Sequence, residues 1–135
     1  MTYGKPFLAG FMSTLIFHQG LFLVFYLAGL APEAPYSLAR TWPFGVPDVL
    51  SLAFWGGVWA IPAWLVFRDS GRVGYWVRAV VFGALAPSAV ALFVVFPLKG
   101  LGLAGGWDPA VIAGALMLNG AWGFGVALGM RLLGE

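Results

Sequence analysis

Four long runs of apolar residues, at 6–32, 49–67, 79–98 and 109–130, are separated and flanked by segments that hold every Asp, Glu, Lys and Arg of the chain. Each run is about the 20 residues that a helix needs to cross a hydrocarbon core of roughly 30 Å. The runs are continuously apolar. A transmembrane barrel would instead show segments of about ten residues alternating apolar with polar, and is rejected. The pattern predicts an all-α integral membrane protein, a single membrane domain over 1–135. Its helices are expected at about 6–30, 48–67, 75–97 and 109–131, packed as an antiparallel bundle. The first run is kept as a helix and not read as a signal peptide, because it exceeds the roughly 7–15 apolar residues of such a leader.

Internal similarity adds a second level of organisation. LFLVFYLAGLA at 21–31 matches LFVVFPLKGLG at 92–102 in seven of eleven places, and the segments 56–68 and 119–131 share Gly57/Gly120, Trp59/Trp122, Leu65/Leu128 and Arg68/Arg131. Two duplicated helical hairpins, related by an axis along the membrane normal, would produce this pattern.

Charge then gives orientation. Lys5, Arg68, Arg72, Arg78 and Arg131 fall on one side, against Arg40 and Lys99 on the other. By the positive-inside rule both termini are cytoplasmic, as in a bacterial inner-membrane protein. The net charge of +2 comes from these loop ends, so it carries no indication of nucleic-acid binding. The outer loop between the first two runs holds Pro32, Pro35, Pro43 and Pro47 and cannot be one helix. Its Tyr36, Trp42 and Phe44 are expected at the lipid interface. In the second outer loop Asp108-Pro109 reads as an N-cap followed by proline at the first helical position.

Composition narrows the chemistry. With 61% hydrophobic and 9% charged residues the chain leaves no room for a soluble domain. The absence of cysteine excludes disulfides and thiolate metal sites. All five carboxylates lie outside the apolar runs, so no pair is available for acid–base work inside the membrane. One histidine cannot build a zinc site, and a bis-histidine haem would need His18 from two chains. Catalysis is not expected.

The remaining candidates are polar and aromatic groups near the helix centres. His18, Gln19, Trp59, Asn119 and Trp122, with Ser88, are expected to form one midplane layer. Intramembrane polar groups are costly, and tryptophan ordinarily prefers the interfaces, so such a layer would bind a quinone head group, a carotenoid or a small polar solute. The identity of any cofactor is unknown at this point. His18 is expected to be hydrogen-bonded to Asn119 or to Thr14. On helical spacing Gly10, Thr14 and His18 share one face of the first helix, while Gln19 lies about 100° away. Pro62 and Pro87 deprive the carbonyls of Val58 and Gly83 of their helical donors, and Gln19, Asn119, an indole or a water could replace them. Gly125 and Gly129 belong to a small-residue stripe that suits packing on the first or third helix better than a dimer face. The expected function is a non-catalytic accessory, assembly or self-associating module whose partners are lipids, other membrane subunits or itself. The alternative is a small oligomeric transporter or channel, or a binder of an apolar cofactor, using the layer around His18.

Overall fold

All four charge-free stretches are helical in a computed structural model, which describes residues 3–135. The chain runs through helix α1 (Gly4–Leu27), strands β1 (Arg40–Thr41) and β2 (Val46–Pro47), and helices α2 (Asp48–Phe67), α3 (Arg72–Leu98) and α4 (Pro109–Leu132). Each helix is long and apolar enough to cross a membrane. The first ends at Leu27, short of the expected 30, and the third begins at Arg72, ahead of the expected 75. Gly71 caps α3 and its carbonyl accepts the Tyr75 amide, so the arginine-rich turn is shorter than its charges suggest. The Asp108 carboxylate accepts the Ala110 amide at 2.9 Å and Pro109 comes next, which is the cap read from the sequence.

Close backbone approach joins the helices in pairs. A side chain at Gly10 of α1 would fall on the Gly56 carbonyl and the Ala60 methyl of α2, and one at Gly123 of α4 would fall on the Ala79 carbonyl of α3. Helices without bulky side chains at such crossings gain dispersion contacts that lipid cannot offer. On its other side α4 sets Gly125 against Ser13 and the Phe17 ring of α1, and Gly129 against Ala9. The small-residue stripe therefore packs within the chain, except at Gly114, where a side chain would meet open space. Among the described residues α1 touches α2 and α4 and has no contact with α3, so these two stand diagonally across the bundle.

The core is thickest toward the ends at Phe67 and Arg72. Phe67 and Tyr75 meet edge-to-face at 4.8 Å, the Tyr75 hydroxyl donates to the Ala127 carbonyl at 2.7 Å, and the Arg131 guanidinium lies 4.2 Å from the Tyr75 ring centre. Such aromatic pairs contribute about 0.5–1.5 kcal/mol beyond the area that they bury, and an exposed cation over a ring, as Arg131 is, adds about 0.5–1 kcal/mol. The opposite halves of α1 and α3 are sparsely covered, with Val24, Leu27, Val94 and Leu98 exposed.

Two π-helical segments interrupt regular winding, at Thr14–His18 in α1 and Ala91–Val95 in α3. Pro62 and Pro87 lie inside α2 and α3. The donors expected to reach the Val58 and Gly83 carbonyls bind elsewhere: Gln19 to His18, Asn119 to Ser88 and the Trp122 indole to Gly10.

Candidate functional site

The π-segment of α1 organises the polar residues around it. In a regular helix the Gln19 amide would bond to the Leu15 carbonyl; here it reaches the Thr14 carbonyl, five residues back. The Leu15 carbonyl accepts the Tyr36 hydroxyl at 2.7 Å in its stead. A π-bulge also rotates the next turn of the helix, because it inserts a residue into the winding. Ser13, Thr14 and Gln19 are consequently all buried, whereas His18 is only half-buried. Face assignment by constant helical spacing fails at this point.

Gln19 binds on both ends of its amide. Its Oε1 accepts the Tyr36 backbone N–H at 2.8 Å and its Nε2 meets His18 Nδ1 at 3.0 Å. Tyr36 therefore contacts α1 eight residues, or about 12 Å of helix, before that helix ends. The loop between α1 and α2 folds back along the helix that precedes it. Two of its carbonyls are paired with the start of α2, Ala39 accepting the Asp48 amide and Ser37 the Val49 amide. Tyr36 itself has φ 57°, a left-handed conformation that costs a non-glycine residue about 1–2 kcal/mol and is sustained by its two bonds to α1. Tyr36 is thus bonded to α1 while staying 42% exposed, and Trp42 and Phe44, at the tip of the β1–β2 hairpin, are 93% and 89% exposed.

The other candidates form separate groups. Asn119 Nδ2 donates to Ser88 Oγ at 3.0 Å, and Ser88 donates in turn to the Ala115 carbonyl at 3.1 Å. Trp122 is buried between α1 and α4, its Nε1 donating to the Gly10 carbonyl at 3.2 Å and its own carbonyl accepting Ser13 Oγ at 2.7 Å. Thr14 Oγ1 donates to the Gly10 carbonyl at 2.9 Å. Trp59 packs on Phe82 with ring centres 6.2 Å apart. The hydrogen bonds expected from His18 to Asn119 or Thr14 do not form: Thr14 bonds a carbonyl one turn back on its own helix and Asn119 bonds Ser88 on α3. Trp122 and Thr14 share the Gly10 carbonyl as acceptor, whereas no hydrogen bond or ring contact joins that group to the Asn119–Ser88 pair, to Trp59 or to His18 and Gln19 among the described residues. Sequence reasoning does not single out Tyr36 as a site residue; its signal is a lone tyrosine in the proline-rich loop between the first two helices.

These contacts make Gln19→Leu a sharp test of the loop's attachment. The substitution leaves the Tyr36 amide and His18 Nδ1 without partners, at about 1–3 kcal/mol for each stranded group. Hydrogen exchange at the amides of residues 34–40 should accelerate at least tenfold while exchange in α3 and α4 stays unchanged. Unchanged protection of the loop would show that Gln19 does not hold it.

Comparison with protein-family models, with curated proteins and with solved structures found no match to this chain.

Proposed function

We propose that this chain is a non-catalytic membrane module, an accessory, assembly or self-associating subunit, folded as an antiparallel bundle with both termini cytoplasmic in a bacterial inner membrane. The observation that carries the reading is the fate of its intramembrane polar groups. Ser13, Thr14, Ser88 and the Trp122 indole all donate to backbone carbonyls, Asn119 donates to Ser88, and Gln19 ties a loop to its helix. The Ser13, Ser88, Asn119 and Trp122 bonds fasten helices together, the Thr14 bond lies within α1, and a surface rich in exposed Leu, Val and Phe is left for lipid or partner helices.

Antiparallel packing is supported by the order of contacts between α1 and α4, where Ala9 faces Gly129, Ser13 faces Gly125, and Phe17 faces Phe124. An exposed ion pair of 3.1 Å between Lys5 and Glu135 accords with ends on one side, although such a pair contributes under about 1 kcal/mol. Duplication draws support from the two close crossings. Gly10 sits over Gly56 and Ala60, Gly83 sits over Asn119 and Gly123, and the step from Gly56 to Asn119 equals that from Gly57 to Gly120. The transporter or channel alternative draws less support, since a permeation path needs its polar side chains along a common line and most of these are taken up in local bonds at several places in the bundle.

Extraction from the native membrane in mild detergent tests the functional reading. The module should migrate with stoichiometric protein partners or as a multiple of its own 14.4 kDa, and without visible absorption. A lone monomer, or a coloured cofactor carried through purification, would overturn it. Reporter fusions after Glu135 and within 99–108 should report opposite sides of the membrane, Glu135 cytoplasmic; the same side for both would remove the four-helix topology.

A further inference from the structure

The bonds around Gln19 determine the state of His18. A backbone N–H only donates, so Tyr36 fixes Gln19 Oε1 toward itself and turns the amide Nε2, which also only donates, toward His18. His18 Nδ1 must then accept. The imidazole proton consequently resides on Nε2, because a neutral ring carries one donor and one acceptor. Flipping the amide would set its NH2 against the Tyr36 N–H, donor against donor, and it is this end that fixes the orientation.

That Nε2–H has no partner among the described residues and is absent from the atoms that are both buried and unsatisfied, so it opens onto the surroundings of the half-buried ring. The ring sits in the charge-free stretch 6–32, about 14 Å of helix inside the end of α1 at Leu27. An amide-like donor left bare in hydrocarbon costs several kcal/mol. We propose that His18 Nε2–H is the recognition point for a carbonyl oxygen of a membrane-dissolved amphiphile, either a phospholipid ester or a quinone carbonyl. A neutral acceptor is favoured over an anion, because residues 6–32 contain no cation to balance a charge at this depth. The donor is also preorganised: Gln19 holds the ring, and the Tyr36 amide holds Gln19, so little freedom is lost when an acceptor binds. The left-handed Tyr36 at φ 57° fits this role, since strained residues persist where surrounding bonds over-determine them and collect at ligand sites. The site goes beyond the packing role proposed above and stands or falls separately from it.

His18 is the only histidine, so histidine labelled with 15N reports this ring alone. The experiment compares the intact labelled chain in bilayers of ester-linked phosphatidylcholine, of ether-linked phosphatidylcholine without carbonyls, and of the ether lipid with a short-chain prenylated benzoquinone. In every bilayer Nδ1 should be unprotonated and Nε2 protonated. An Nε2 resonance that moves between ester and ether lipid identifies the lipid ester; one that moves only when the quinone is added identifies the quinone. A proton on Nδ1, or an Nε2 resonance identical in all three bilayers, would overturn the proposal, the latter by assigning the bond to water or to protein.

Discussion

Gly123→Leu is expected to abolish the folded bundle, with a loss of more than about 3 kcal/mol, the upper end of what overpacking costs in a close-packed core. The first atom added would lie on the Ala79 carbonyl, and the Gly83 backbone flanks it, so the displaced atoms are backbone in a helix and not the end of a flexible side chain. Gly10→Leu should behave alike on the opposite side, against the Gly56 carbonyl and Ala60. Gly125→Leu and Gly129→Leu should also exceed Leu128→Ala in damage, through Ser13, Phe17 and Ala9. The internal control is Gly20→Leu, where a side chain meets nothing within 4 Å; its effect should stay within about 0.5 kcal/mol. Reversible unfolding in mixed detergent ranks these variants. Equal stability for Gly123→Leu and Gly20→Leu would show that α3 and α4 do not cross at that glycine.

Trp122→Ala is the second large loss, about 3–5 kcal/mol, the range for deleting a large buried side chain. Only 3% of Trp122 is exposed, and it belongs to the cluster with Ala9, Val126 and Met130. Trp122→Phe separates packing from bonding. It keeps most of the volume and gives up the Nε1 bond to the Gly10 carbonyl, for about 1 kcal/mol. Trp59→Ala should cost less than Trp122→Ala, since Trp59 is half-buried and makes no hydrogen bond with its indole among the described residues. Unfolding free energies in the same detergent series check the order. A reversed order would mean that the two tryptophans make different helix contacts from those described.

The four helices are legible in the sequence because charge and hydropathy report membrane crossing directly: every Asp, Glu, Lys and Arg falls outside the runs. The stripe through Gly125 and Gly129 is legible too, since small residues at four-residue spacing have few other uses in lipid. The grouping of polar residues is not. Spacing arguments assume 3.6 residues per turn, and the Thr14–His18 π-segment breaks that assumption between His18 and Gln19, burying the glutamine in place of the histidine. Similar depth along different helices also does not bring side chains together. Asn119 lies at His18's expected level, yet faces Ser88 on α3. The fold-back of Tyr36 onto Leu15 is a contact between a loop and a helix that no periodicity records. The β1–β2 hairpin leaves no periodic signal because each strand has only two residues, its turn held by the Thr41 hydroxyl on the Val46 carbonyl.

The small-residue faces of α4 pack inside the chain and leave the outer surface for partners. Because the chain lacks cysteine, an Ala9→Cys, Gly129→Cys double variant carries one possible disulfide. An ideal Cβ at Gly129 lies 3.0 Å from the Ala9 methyl, close to the roughly 3.5–4.5 Å that a disulfide needs between Cβ atoms. Oxidised in its membrane and run under non-reducing conditions, this variant should form the bond within one chain, at monomer size, with both thiols consumed. Crosslinked dimers from the same pair, or thiols that stay free, would contradict this packing by placing that face of α4 between chains or against lipid.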